Sequence, residues 1–257
     1  MTAHVIEGSQ QALQGLLTRH RALYESPSIE SKLQSIIREV PKSKLSEWDV
    51  HRILRSARAV FFDTHVEVVS GHHTATYLRF ASIAEIPQLV RLIARDMADW
   101  VRQTYRRDSA REEITGLLAT ASEARFIAEG VAEVLRSDMA LRVILTPFDE
   151  ATGKIGTEVA AGMIRPGERF IVLNDVTTRG TCVSKLGRVV TDHGGVLAGM
   201  AVFARRDSGQ FPLMDELTHK YRFYFTADLD MPQWAPEECP LCREKKPLLS
   251  WKEIPEI

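Results

Sequence analysis

Arg169-Phe-Ile-Val-Leu-Asn174-Asp175-Val176-Thr177-Thr178-Arg179-Gly180-Thr181-Cys182 is an apolar strand that ends in two polar side chains and then a hydroxyl-rich turn. The consecutive apolar residues Phe170 to Leu173 read as a strand buried on both faces, the habit of parallel sheets. The turn contains Gly180, and the helical pattern from Val183 to His193 begins where the turn ends. The first turn of such a helix offers unpaired backbone N–H groups and the positive end of its dipole; with threonine hydroxyls beside it, the turn suits a phosphate group. Asp175 at the strand tip suits sugar hydroxyls or a divalent cation. An ordinary strand-to-helix turn with an Asx or Thr cap is the other reading of the same residues.

The neighbouring sequence repeats the alternation. Arg165-Pro166-Gly167 makes a turn before the strand; after the helix, Gly194-Gly195 is a break and Val196 to Phe203 a further strand. Upstream, Ile114 to Ala119 reads as a strand, Glu123 to Leu135 as a helix, Ala140 to Leu145 as a strand and Glu158 to Met163 as another. Apolar strands separated by helices predict an α/β fold, a mostly parallel sheet flanked by helices, with ligands at the carboxyl ends of its strands. A long amphipathic helix is expected over Ile86 to Tyr105, with Leu89, Leu92, Ile93, Met97, Trp100 and Val101 on one side. Val60 to Phe62, Val66 to Val69 and Thr76 to Phe80 read as strands around a polar turn, Ser70-Gly71-His72-His73. Residues 9–24, Ile29 to Val40 and Ser46 to Ser56 are helical in pattern, the last with Ser46 as cap and Trp48, Val50, Ile53 and Leu54 toward a core. These first residues hold no cluster of His, Cys or carboxylate, and read as packing or oligomer-forming.

The chain has 257 residues, 33 basic and 34 acidic, and 44% of them are hydrophobic. That is enough apolar material for one large domain or two small ones, and it speaks against disorder. A net charge of -1 supplies no general attraction to DNA, RNA or an anionic membrane, so a nucleic-acid partner is unsupported. No apolar run reaches the ~18 residues of a membrane span; Val183 to Ala204 is broken by Lys185, Arg188, Asp192 and His193. The opening MTAHVIEGSQQALQ lacks a basic start followed by an apolar segment, so a cytoplasmic location is expected. Cysteines there read as thiols or metal ligands rather than a disulfide frame. Cys239 and Cys242 form a C-x-x-C that could hold Zn²⁺, with two further ligands from His (His219 or another), carboxylate or a second subunit. Free buried thiols and a disulfide are the alternatives.

The run from Arg169 to Cys182 resembles the signature with which type I phosphoribosyltransferases bind 5-phosphoribosyl 1-pyrophosphate (PRPP): four apolar residues, an acidic pair, two mostly apolar residues and a Thr/Ser-rich loop with glycine. Asn174 and Asp175 fall on the acidic pair, Thr178 to Cys182 on the 5′-phosphate loop. The orotate phosphoribosyltransferase branch is similar elsewhere and in the same order. Val68 to Thr74 followed by Tyr77-Leu78-Arg79 resembles its early segment, Ile114 to Leu135 its strand, pyrophosphate loop and helix, and Ile164 to Arg169 the turn into the PRPP strand. Trp234-Ala-Pro-Glu-Glu-Cys239-Pro-Leu-Cys242 looks like the ending of some long members. The resemblance spans about residues 57 to 248. It divides the chain into an N-terminal helical extension (1–56), a phosphoribosyltransferase-like core (57–232) and a C-terminal tail with the C-x-x-C (233–257).

The resemblance implies Mg²⁺-dependent transfer of ribose 5-phosphate from PRPP to a nitrogenous base, orotate-like, by a homodimer. Asn174, Asp175, Thr177, Thr178, Arg179, Gly180, Thr181 and Cys182 would bind PRPP, with Asp175 also a candidate Mg²⁺ ligand and catalytic residue. Thr120, Ala121, Ser122, Glu123 and Ala124 would form the pyrophosphate loop; Lys154 would meet pyrophosphate; Ser70, Gly71, His72, His73 and Thr74 would lie near the base or pyrophosphate. Four departures weaken the match. Asn174 is uncharged, Cys182 replaces a hydroxyl, Glu123 should repel pyrophosphate, and the loop from Thr146 to Gly156 keeps one cation, Lys154, beside Asp149 and Glu150. A binding protein that senses PRPP or a nucleotide without turning it over, or serves in an assembly, is therefore the rival. His72, His73 and Lys154 also fit solvated turns, and Arg205-Arg206-Asp207 reads as a solvated face or as a contact to base or partner.

Overall fold

The computed structural model describes residues 3–41, 44–105, 113–206 and 209–257. Asp207 lies outside the described residues. In chain order the elements begin with α1 (Ala3–Glu25), α2 (Ser28–Ile36), β1 (Ile37–Glu39), α3 (Glu47–Ser56), β2 (Val60–Phe61), β3 (Val66–Glu67), β4 (His73–Thr74) and β5 (Tyr77–Leu78). Next come α4 (Phe80–Ala84), α5 (Pro87–Thr104), β6 (Gly116–Thr120), α6 (Ala124–Leu135), β7 (Arg142–Thr146) and a hairpin of β8 (Phe148–Asp149) and β9 (Lys154–Ile155). The remainder is β10 (Arg169–Thr177), α7 (Thr181–Asp192), β11 (Val196–Arg206), α8 (Pro212–Lys220), β12 (Arg222–Leu229), β13 (Gln233–Trp234), α9 (Pro240–Arg243) and β14 (Leu249–Ser250).

Among the described residues, six strands form the central sheet in the order β1-β12-β11-β10-β6-β7. All neighbours are parallel except the antiparallel edge pair β1 and β12. Side chains along β6, β10 and β11 alternate between two cores, as the two-residue period requires. Leu117, Ala119, Ile171, Leu173, Ala201 and Phe203 face α2, α3, α5 and α6; Leu118, Phe170, Val172, Met200 and Val202 face α7 and α8. The strand order without β1 reverses direction of growth between β6 and β10. That is the switch point of a doubly wound sheet, where the loops leaving the two strands diverge and open a crevice.

Several local expectations change. The helix expected over Ile29 to Val40 stops at Ile36, because Ile37 is extended and pairs with Leu229 at the sheet edge. Glu158 to Met163 holds no strand; a single bridge, Leu145 to Ala161, is made before Gly162 turns the backbone at φ 92°. Ser46 caps α3 as expected, accepting from the Asp49 amide at 3.2 Å while Asp49 accepts from the Ser46 amide at 3.0 Å. Trp48, however, is 63% exposed. It lies two positions, about 200° around the helix, from Val50, whose stripe with Ile53 and Leu54 meets the core. Leu92 departs from the α5 stripe for the same reason.

Candidate active site

The switch-point crevice is lined by the loops that follow β6 and β10. At the second, Gly180 has φ 77°, and an added Cβ would lie 2.9 Å from Leu217 Cδ1, so only glycine turns the strand into α7 here. The turn presents the first amides of α7 just beyond Thr177, Thr178 and Arg179. At the strand tip, Asn174 is buried and its amide donates to the Val176 carbonyl at 3.0 Å. Asp175 Oδ1 accepts from the Val176 amide at 2.7 Å.

Electrostatics ties this tip to the β6 loop. Burial, reinforced by the Glu123 carboxylate, pushes Asp175 up to about 6. Glu123 immediately precedes α6, and beside it Thr120 Oγ1 and Ser122 Oγ share a 2.7 Å hydrogen bond while the Ala121 amide donates to the Thr146 carbonyl at 2.9 Å. Two carboxylates and two hydroxyls thus gather around the switch point. Cys182 is pushed up to about 11 by burial and the Asp175 charge, so it remains a neutral thiol at physiological pH. Tyr77 in β5 is raised by burial, with a small addition from the Asp175 charge.

The turn after β3 reaches the Arg179–Gly180 turn through Phe211. The Arg179 guanidinium lies 5.5 Å from the Phe211 ring centroid, and the His72 ring meets Phe211 edge-on at 6.3 Å. Phe211 just before α8 is a residue that sequence reasoning passed over; one aromatic ahead of a proline gives no signal of its own. Lys154 is exposed at the start of β9, in the hairpin whose Gly153 lies against Val69 and Trp251. Asp149, which the sequence sets against Lys154, is engaged in its own turn, accepting from Thr152 Oγ1 at 2.6 Å and held below its ordinary range mainly by that bond.

Other expected residues go elsewhere. His73 is buried in β4, pairs by its Nδ1 with His65 Nε2 at 3.2 Å and is held below its ordinary value by desolvation and the His65 ring. Thr74 is buried, and its one hydroxyl proton is shared between the Thr76 and Pro232 carbonyls, both 2.8 Å away. Of Ser70 to Thr74, only the tip residues Ser70, Gly71 and His72 therefore face the open turn. Arg205 and Arg206 are not a solvated face. Arg205 binds buried Asp228 at 2.9 Å and lies 4.0 Å from the Phe225 ring centroid. Arg206, 4% exposed, donates to the Thr76 and Met231 carbonyls at 3.3 and 3.4 Å.

His219 does not join the C-x-x-C; its Nδ1 lies 2.7 Å from the Asp215 carbonyl on the exposed side of α8. The cysteines instead meet His65 and His73: the four ligand atoms lie within 4.8 Å of one another. His65 was not foreseen, because more than 170 residues separate it from Cys239 and Cys242. No helix among the described residues is long and apolar enough to cross a membrane.

No family model matches the chain. Among proteins of known activity, it is 25% identical to an orotate phosphoribosyltransferase of Heliobacterium modesticaldum over 205 residues, 80% of this chain and 97% of the relative. It is 27% identical to the orotate phosphoribosyltransferase of Thermus thermophilus over 201 residues, 78% of this chain and 98% of the relative. Among solved structures, Leishmania donovani UMP synthase superposes with a TM-score of 0.54 at 18% identity, over 82% of this chain and 41% of that larger protein, a likeness of fold. With a parallel sheet in this order and the Gly180 turn at its switch point, the chain has the fold of the type I phosphoribosyltransferases and is similar in sequence to orotate phosphoribosyltransferases.

Proposed function

We propose that the protein transfers ribose 5-phosphate from PRPP to a nitrogenous base of the orotate kind. The observation that carries this is the meeting, at one switch point, of the Gly180 phosphate turn with the Asp175 and Glu123 carboxylates. The amides opening α7 and the hydroxyls of Thr177, Thr178 and Thr181 would hold the 5′-phosphate, with the helix dipole adding to the attraction. Asp175 and Asn174 would accept from the ribose hydroxyls, and the loop from Thr120 to Ala124 would receive pyrophosphate. Ser70 to His72 and the Phe211 ring would bound the base side, and Lys154 would approach pyrophosphate from its hairpin.

The donor set fits a hard divalent cation: Asp175 and Glu123 supply carboxylate oxygens, and Thr120 and Ser122 hydroxyls stand beside them. Mg²⁺ bound there would supply positive charge to the departing pyrophosphate. In this arrangement Glu123, which repels a bare pyrophosphate, becomes a favourable neighbour once its charge and that of Asp175 are shared with the cation. Glu123→Gln is expected to weaken Mg²⁺-dependent PRPP binding about tenfold; tighter binding would mean that Glu123 acts only as a repellent.

Calorimetry with PRPP and Mg²⁺, followed by pyrophosphate release with a panel of bases, tests the reading. Binding together with release, fastest with orotate-like bases, is expected. Binding without release from any base would make the protein a PRPP-binding sensor, and absence of binding would remove both functions. A homodimer and a cytosolic setting belong to the same proposal, supported by the resemblance; sedimentation equilibrium reads the first and fractionation of the source cells the second.

A further inference from the structure

We propose that His65, His73, Cys239 and Cys242 form a closed tetrahedral Zn²⁺ centre that staples the C-terminal tail to the hairpin bearing Ser70 to His72. His65 Nε2 lies 3.2 Å from His73 Nδ1, 3.5 Å from Cys239 Sγ and 3.6 Å from Cys242 Sγ, and Cys242 Sγ lies 3.2 Å from His73 Nδ1. Tetrahedral bonds of about 2.0–2.1 Å to nitrogen and 2.3 Å to sulfur put ligand atoms roughly 3.3 to 3.8 Å apart; these four separations are close to that, and all pairs of the four atoms lie within 4.8 Å. Two sulfurs and two imidazoles are the donors that favour zinc over magnesium or calcium.

Hydrogen bonding alone does not account for the cluster. One imidazole nitrogen, His65 Nε2, faces three partners, yet it carries either one proton or one lone pair. Its other nitrogen, Nδ1, lies 3.0 Å from the Lys246 carbonyl. A carbonyl can only accept, so Nδ1 holds the proton and Nε2 turns its lone pair into the cluster, the usual way a protein aims a metal-ligating histidine. The cysteines are not joined to each other; both are free thiols.

The surroundings show what the metal is for. The ligands sit on or beside a small sheet, β13-β4-β3-β14, whose strands are two residues long and whose outer strands both come from the tail. Trp234 pairs with His73 on one side of the hairpin and Leu249 with Val66 on the other. Strands this short do not hold together by their own hydrogen bonds. The supporting core is also small, Leu16, Phe61, Val66, Leu249 and Ile254. A metal bridging the hairpin and the C-x-x-C supplies the missing cross-link, as it does in other domains whose cores are too small. Loss of the metal would loosen the hairpin whose tip meets Phe211 and whose Val69 supports Gly153.

The test uses the full chain, reduced and equilibrated with zinc and then freed of unbound metal. Elemental analysis is expected to give one zinc per chain, with two thiols unreactive until a strong chelator is added. Replacement by Co²⁺ is expected to give the intense visible bands of a tetrahedral site and a thiolate charge-transfer band. Cys242→Ser should lose the charge-transfer intensity, whereas His65→Cys should keep one tightly held metal with more of it, which guards against a variant that merely unfolds. Hydrogen exchange of residues 66–74 should quicken on chelation. Substoichiometric metal with all thiols freely reactive would overturn the site, iron in place of zinc would overturn its identity, and unchanged exchange with metal removed would overturn the staple. Each of these readouts is independent of PRPP turnover.

Discussion

Gly180 and Asp175 show how single residues set conditions for the site, and His20 how one sets a condition for stability. Gly180→Ala forces a Cβ into a left-handed turn and against Leu217, costing about 1–2 kcal/mol, and it shifts the α7 amides. Lower urea stability together with loss of PRPP heat is the expected result. Asp175, raised to about 6, is half protonated near that pH, so affinity for PRPP with Mg²⁺ should rise as pH increases from 5 to 7. Calorimetry at several pH values checks this, and a flat profile would detach Asp175 from binding. His20, stacked on Phe61 at 4.1 Å, is driven from 6.5 down to about 4 by burial and by Arg58. Between those values the unfolded chain binds a proton that the folded chain refuses. Its contribution to stability is therefore complete above pH 6.5 and is lost as pH falls toward 4, about 3 kcal/mol in all. The unfolding free energy of the wild type relative to His20→Leu, which lacks this proton, should fall as pH drops from 6.5 to 4; parallel profiles would remove His20 as the cause.

Among elements, α5 packs by its apolar face and is tied to β12 and to the approach to α3 by one buried carboxylate. Asp96 accepts from Tyr224 Oη at 2.5 Å and Thr226 Oγ1 at 2.9 Å on β12, and from the Leu45 amide at 3.1 Å ahead of α3. Asp96→Ala strands these donors in the core and is expected to cost about 3 kcal/mol or more in urea unfolding. Its partners lie about 50 and 130 residues away in the chain, so the polar residue in an apolar stripe gave no hint of its role. What was legible at this scale was periodicity. β10 and α7 could be read because four consecutive apolar residues and a glycine turn determine them locally. Ile37 to Glu39 could not, since its helical neighbours are overridden by a strand partner near the far end of the chain. The site divided in the same way. The strand, Gly180 turn and helix are contiguous and their course was readable, whereas Phe211, His65 and the burial of His73 depend on long-range packing.

For the molecule as a whole, the N-terminal helices and the parallel sheet share one interior. Ile29, Leu33, Ile36, Val50, Ile53 and Leu54 are buried in the same cluster as Leu117, Ile171 and Phe203. Removal of residues 1–56 is therefore expected to yield an aggregating or poorly folded remainder, measured as lost cooperativity in thermal unfolding; a remainder that melts cooperatively would make those residues a dispensable appendage. The same segment supplies β1, which lies along the outer side of β12. At the opposite margin, Ala160 donates to the Leu145 carbonyl at 2.7 Å and Leu145 to the Ala161 carbonyl at 3.2 Å, so β7 is partly sheathed as well. Among the described residues one margin is a strand of only three residues and the other is partly covered, which limits the ladder open to an incoming strand. β1, synthesised well before β12, is already waiting when the last strand of the sheet leaves the ribosome.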